Sequence, residues 1–348
     1  MPYPDLPARS LLACFVVLTA CPGNHNDLAQ DTSSATVGGA GGAGAGSSEG
    51  GFSAGGSPPI IEPDGPPKLS VVNAIVDRGA MALCFLESPV AAGDEALPWP
   101  SDGIDYAHSA TVSRPGAPVP GGVDIELVVL TGDLSAVGGA NCRDVADDPF
   151  GFAGLEVLSL GVVPGSTFLE PRSLLVAVTG CFGGETHDGK ALEAVCGPGY
   201  GPDNPTPGVV FAPLSRITSG LAVGLQVINA TAAFDSIDVY ARSSIDGMLE
   251  QPVAQMVVPG AAAPFPPSTA FSSMELAGPS TATLRSVVSN TTNQTELVLG
   301  DAMENGGVTA GDFINGKNIV LVAVGPSPGA ALPTWSNLFA FVALRADP

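Results

Sequence analysis

What this chain can fold into is limited first by a repeat within it. Leu69-Ser70-Val71-Val72-Asn73-Ala74 aligns without gaps onto Leu225-Gln226-Val227-Ile228-Asn229-Ala230, and the next apolar alternation, Met81 and Leu83, falls on Ile237 and Val239 at the same offset (237 − 81 = 156). Further on, Ile125-Glu126-Leu127-Val128-Val129 resembles Leu284-Arg285-Ser286-Val287-Val288, and Leu175-Val176-Ala177-Val178 recurs as Leu321-Val322-Ala323-Val324. A glycine, Gly165 or Gly311, stands ten residues before that last block in each copy. Three blocks in one order predict two tandem domains, residues 66–204 and 205–348.

Each block is a short run rich in Val, Ile and Leu bounded by Gly, Pro, Asn or Asp, which is the signature of a strand. Ile237-Asp238-Val239-Tyr240 alternates cleanly and predicts one buried face. The composition agrees: 45 Gly, 33 Pro and only 13% charged residues rule out a coiled coil or helical bundle. One helical turn is expected, over Gly189–Val195, and Leu338–Leu344 is expected as a closing strand. The fold class is therefore all-β, two tandem antiparallel, Ig-like β-sandwich domains of about seven strands each.

The residues of these blocks resemble a known family. A strand ending in Val-Asn-Ala, a short polar turn and a second strand of the type Val-Asp-Val-Tyr are similar to the DUF4397 domain, and Val227–Tyr240 is the better match. In the first copy, Val71–Met81 lacks the acidic position of the second strand, and both copies depart from the family's Pro-Asp-Ala-Pro turn. The Gly-rich segment before residue 66, the stretch from Thr179-Gly180-Cys181 to Cys196-Gly197-Pro198-Gly199-Tyr200 and the tandem arrangement also resemble secreted lipoproteins of myxobacteria. The resemblance covers residues 66–348 and implies an exported β-sandwich. It transfers no activity and no site residues.

The N-terminus carries an export address. Arg9 precedes the apolar run Leu11–Leu18, too short to span a bilayer and suited to a signal peptide over residues 1–20. Leu18-Thr19-Ala20-Cys21 resembles the bacterial lipobox, which implies lipidation at Cys21, attachment to the membrane through that lipid, and a place in the cell envelope, at the outer membrane. Residues 21–65 carry almost no apolar side chains and are expected to remain a disordered Gly/Ala/Ser/Pro tether, with an r.m.s. reach of roughly 35 to 40 Å. Within it Gly39–Gly44 fits G-x-G-x-x-G and Gly46–Gly50 fits G-x-S-x-G, but neither has the strand and helix that would aim an amide or a hydroxyl.

Six cysteines less Cys14 and Cys21 leave four, Cys84, Cys142, Cys181 and Cys196, all in the first domain. An even number in an exported domain predicts two disulfides, and three connectivities are possible. Pairing Cys181 with Cys196 is the local choice and leaves Cys84 with Cys142. No C-x-x-C is present, so no metal site is expected.

Charge and histidine content narrow the function. With 12 Lys and Arg against 34 Asp and Glu the net charge is −22, which excludes a phosphate-neutralising face and so a nucleic-acid partner. Only His25, His108 and His187 could act as a base, and both His108 and His187 are expected in surface loops. Asp144-Val145-Ala146-Asp147-Asp148 and Asp94-Glu95 with Asp102 and Asp105 read as solvated loops, with Ca²⁺ ligation as the alternative. Trp99, between Pro98 and Pro100, and Trp335, two residues after Pro333, are expected to pack rather than to stack on sugar rings. No catalytic residue, cofactor or metal ligand is assigned. The expected function is a non-enzymatic binding or structural module that contacts an envelope or extracellular polymer or protein; the alternatives are a Ca²⁺-dependent polysaccharide-binding adhesin and a secreted hydrolase.

Overall fold

The computed structural model describes residues 60–61 and 66–346, apart from 90–95, 114–118, 120–121, 169–172, 185–186, 188–191, 202–203, 217, 220–221, 234, 244–249 and 272–277. The expected signal peptide, Cys21, His25, Asp94, Glu95 and all of the tether except residues 60–61 lie outside the described residues.

A two-residue strand, β1 (Ile60–Ile61), precedes the first sandwich. That sandwich contains β2 (Lys68–Ile75), β3 (Met81–Ser88), β4 (Trp99–Ile104), β5 (Ser109–Ser113), β6 (Asp124–Gly132), β7 (Leu155–Val163), β8 (Ser173–Gly180) and β9 (Gly208–Leu214). Helix α1 (Cys142–Asp147) lies between β6 and β7, and α2 (Leu192–Cys196) between β8 and β9. After β10 (Thr218–Ser219), which pairs with β1, come β11 (Val223–Thr231), β12 (Ile237–Arg242), β13 (Gln251–Val257), β14 (Ala262–Phe271), β15 (Thr283–Val288), β16 (Gln294–Val298), α3 (Leu299–Gly306), β17 (Asn318–Gly325) and β18 (Ala340–Arg345). The sheets run β5-β2-β8-β9 and β4-β3-β6-β7, then β14-β11-β17-β18 and β13-β12-β15-β16. The all-β sandwich class therefore holds, and the two halves share one strand order.

Three details differ from expectation. Among the described residues each sandwich has eight strands, and in the first β9 pairs with β8 and carries it past the expected boundary at residue 204. The expected helical turn is present as α2, described from Leu192 and running one residue further, to Cys196. The sheets are also mixed: β2 and β8 are parallel, as are β11 and β17, while every other neighbouring pair is antiparallel. Parallel neighbours need a crossover, and here the chain supplies it by passing through the opposite sheet between the two central strands.

The four sheets stack in layers around three cores. Leu69, Val71, Leu83, Leu127 and Val176 fill the first sandwich, and Leu225, Val227, Val239, Leu284 and Leu321 fill the second. Between them Val72, Leu175, Ala177, Ile228, Val322 and Leu344 form a third core that joins the two middle sheets back to back. This is why every residue of β11 and β17 is buried. A strand covered on both faces reads as a continuous apolar run rather than an alternation.

The repeated Asn has a structural cause. The Asn73 side-chain amide donates to the carbonyls of Gly79 (2.6 Å) and Ile104 (2.8 Å), while its oxygen accepts the Ile75 N–H (3.1 Å). Asn229 donates to the carbonyls of Asp235 and Val257 (both 2.9 Å) and accepts the Thr231 N–H (3.1 Å). Each Asn is fully buried and ties the end of one sheet to the turn and strand of the other. An apolar residue there would leave two carbonyls and an amide without partners.

The last repeat block is equivalent only in composition. Leu175 and Ala177 face the joining core, whereas Leu321 and Ala323 face the second sandwich's own core. A slip of one residue turns a strand's faces over. The pairing register sets Leu174 against Leu69 and Ile319 against Leu225, so the equivalent positions are 145 apart (319 − 174). Gly180 and Gly325, also 145 apart, close these strands with φ of 96° and 95°.

Candidate functional site

The strongest concentration of polar and titratable groups lies where the connection between β17 and β18, residues 326–339, crosses onto the first sandwich. Near its start Ser327 and Gly329 donate back to the second sandwich, to Asp235 (2.5 Å) and the Thr295 hydroxyl (2.9 Å), and further on Asn337 reaches the end of β2 and the β2–β3 turn. The Asn337 N–H donates to the Val76 carbonyl (2.8 Å), and its side-chain amide donates to the carbonyls of Arg78 (2.8 Å) and Ile75 (3.3 Å). The Tyr106 hydroxyl, from the turn between β4 and β5, donates to the Leu338 carbonyl. Gly325 makes room for that ring, since a Cβ there would stand 2.2 Å from the hydroxyl oxygen.

Beneath this connection a polar cluster is closed by the Cys181–Cys196 disulfide. Asp77, whose side chain is fully buried, accepts the N–H groups of Phe182 (3.0 Å) and Gly183 (2.8 Å) and pairs with Arg78 at 3.1 Å. Arg78 continues outward to Glu156 (2.7 Å) and donates to the Gly183 carbonyl (2.7 Å). The His187 Nδ1 shares a hydrogen bond with the Tyr200 hydroxyl and lies 3.7 Å from Asp77 Oδ2. Its ring stacks on Trp335, centroids 3.7 Å apart and planes 16° off parallel. His187 is thus 3% exposed and not the surface-loop histidine the sequence suggested. Of the loop between the cysteines, the Phe182 and Gly183 backbone and the His187 ring turn inward, because Asp77 and Tyr200 satisfy their polar groups and Trp335 covers the imidazole.

Burial sets the electrostatics. It lowers the His187 pKa from the ordinary 6.5, with Asp77 opposing and Arg78 reinforcing the shift. Burial, together with the Asp77 charge, pushes Tyr200 up to about 12, so its hydroxyl keeps its proton at neutral pH. Burial also raises Tyr106. The His187–Tyr200–Asp77 line resembles an acid–base relay in residue types. Its imidazole, however, is covered by Trp335, and its tyrosine is 7% exposed. Each polar group in it is already bonded inside the protein.

Beside this cluster a cavity of about 360 Å³ separates the β4–β5 turn from α3 and the start of β18, lined by Tyr106, Val298, Asp301, Asn305 and Leu338 among others. Leu338 is 69% exposed at its mouth. The Asn305 amide is bonded to the Phe341 carbonyl (3.0 Å). A second, smaller hollow of about 250 Å³ lies over the outer face of the first sandwich, between Leu97 and the turn at Leu134–Val137.

The other residues singled out in the sequence are placed as follows. Cys84 is bonded to Cys142 and Cys181 to Cys196, with Cα–Cα distances of 5.6 and 5.3 Å. The first bridge fastens α1 onto the outer face of β3, where Cys84, Leu86, Val128 and Val145 form a small satellite core. His108 is exposed in its turn. Trp99 opens β4 and packs half-buried against the first core, and Trp335 is half-buried with one face on His187. Asp144 and Asp147 belong to α1 rather than to a loop, and Asp102 and Asp105 are exposed. Among the described residues no group of three or more His, Cys, Asp or Glu side chains is gathered to hold a metal ion, and no helix is long and apolar enough to cross a membrane. No protein-family profile matches the chain, and no curated protein matches it.

Proposed function

We propose that this protein is a lipid-anchored component of the bacterial cell envelope that acts by contact rather than by turnover. The observation that carries this reading is the use made of its buried polar groups. Asp77, His187 and Tyr200, the groups best suited to chemistry, are bonded within the first sandwich and covered by Trp335, while Asn337 ties the β17–β18 connection down beside them. The result is a stiff four-layer block suited to presenting surface. The lipobox-like Cys21 and the Gly-rich segment support its attachment at a distance from a membrane, and the DUF4397-like blocks support export. The partner is an envelope or extracellular polymer or protein.

Two experiments test the parts separately. Cys21→Ser is expected to move the protein from the membrane fraction to the soluble exported fraction; a variant that stays with the membrane removes the anchor. Protease treatment of intact cells is expected to release a fragment beginning near residue 66 if the block faces outward. Protection until the outer membrane is opened assigns it to the periplasm and to a scaffolding role there.

A further inference from the structure

We infer that His187 and Trp335 form a pH-sensitive latch, and that acidification releases the β17–β18 connection from the first sandwich while the joining core stays intact. The contact links two parts of the chain 148 residues apart (335 − 187), and it depends on a neutral imidazole lying flat under an indole in a closed space. The charged groups facing that imidazole come from two elements. The β2–β3 turn supplies Asp77 and Arg78, which pair with each other at 3.1 Å, so that the carboxylate is already matched by a guanidinium before His187 gains a proton. The segment after the second cysteine supplies Tyr200, which is bonded to Nδ1. The connection itself brings Trp335 and Asn337, neither of which titrates. Glu185 and Asp188 flank His187 in the sequence and lie outside the described residues.

The direction follows from linkage. In the closed latch burial holds the His187 pKa below 6.5, and in the released form the exposed ring returns to about 6.5. The closed form is therefore fully favoured above pH 6.5 and loses ground as the pH falls through that value. With the closed imidazole still neutral, the ratio of released to closed latch rises up to about tenfold between pH 7.5 and pH 5.5. Fifteen buried apolar residues outside the latch hold the middle sheets together throughout. The event is thus a local opening of residues 326–339 and not a separation of the halves.

The test uses the intact oxidised protein with Trp99→Phe, which leaves Trp335 as the sole tryptophan. Fluorescence and acrylamide quenching are followed from pH 8 to pH 5, with near-ultraviolet circular dichroism as the check that the fold is retained. The expected result is a transition with its midpoint at or below 6.5, in which Trp335 becomes more open to quencher, and its absence in His187→Gln. A flat titration, or the same transition in His187→Gln, overturns the latch. Where either variant fails to fold, hydrogen exchange on the unaltered protein takes its place. The peptide containing Asn337 is expected to lose protection up to about tenfold at pH 5.5 relative to pH 7.5, after correction for the intrinsic exchange rate. Equal corrected protection at the two pH values overturns the proposal.

Discussion

The two sandwiches share a strand order and are secured by different means. The first carries both disulfides, Cys84–Cys142 holding α1 to its outer sheet and Cys181–Cys196 closing the loop under Trp335. The second has no cysteine and instead lays α3 against β18, so closely that a Cβ at Gly306 would stand 1.6 Å from the Ala343 carbonyl oxygen. Where the chain must bend at the end of the third strand of each sandwich, the first copy uses Gly103 at φ 78° and the second uses Met256 at φ 52°. Where Leu83 faces Val129 across the first sheet, Val239 faces Ser286, a buried serine whose hydroxyl has no hydrogen-bond partner. The buried Asn73 and Asn229 are what both copies keep. The comparison teaches that the geometry of the fold is fixed by a few fully bonded polar residues, while the means of stabilising it are interchangeable.

The sharpest way to break the comparison is to remove the first sandwich's long cross-link. Replacing Cys84 and Cys142 together by Ala is expected to cost about 4 kcal/mol from the closure of a loop with a sequence separation of 58, read in denaturant unfolding. Next, Asn73→Ala and Asn229→Ala are each expected to cost about 3 kcal/mol, and by similar amounts, because each leaves the same three backbone groups unpaired. Unequal costs would mean that one copy alone depends on this tie. In the opposite direction, Ser286→Val makes the second core match the first and is expected to raise stability by about 1 kcal/mol. Met256→Gly is expected to add up to about 1 kcal/mol by relieving a left-handed conformation at a side chain that is 64% exposed. At the small end, Arg242→Ala removes an exposed pair with Glu296 and is expected to change the melting temperature little, on the order of 0.5 kcal/mol or less.

Much of this frame is legible in the chain itself. The offset of 156 finds β2 with β11 and β3 with β12 because Asn73 and Asn229 permit no slip between them. Ile237 and Val239 are buried with Asp238 and Tyr240 half-buried between them, as the alternation indicates. The expected cysteine pairing follows from proximity along the chain. The joining core is not legible, because Val and Ala on the outward face of β8 or β17 are the same residue types as on the inward face, and a strand buried twice loses its period. The exact recurrence of Leu-Val-Ala-Val misleads for the same reason: composition survives a one-residue slip that reverses which side each residue faces. His187 escapes detection because its partners, Asp77 and Trp335, lie 110 residues before it and 148 after it (187 − 77 and 335 − 187). Trp335 two residues after Pro333 and the polar loop between two cysteines are each visible, but nothing local joins them.

The joining core also sets an order of events during synthesis. The first half emerges with a middle sheet whose outer face, from Val72 and Ala74 to Ala212 and Leu214, has nothing yet to cover it. That face is flat, apolar and rich in strand-forming residues, the kind of surface on which unfinished chains stick to one another. It stays bare until β11, β17 and β18 have followed, and β18 completes two jobs at once, sending Phe341 and Ala343 into the second core and Val342 and Leu344 into the joining one. A chain built this way needs shelter for its first half until its last strand arrives.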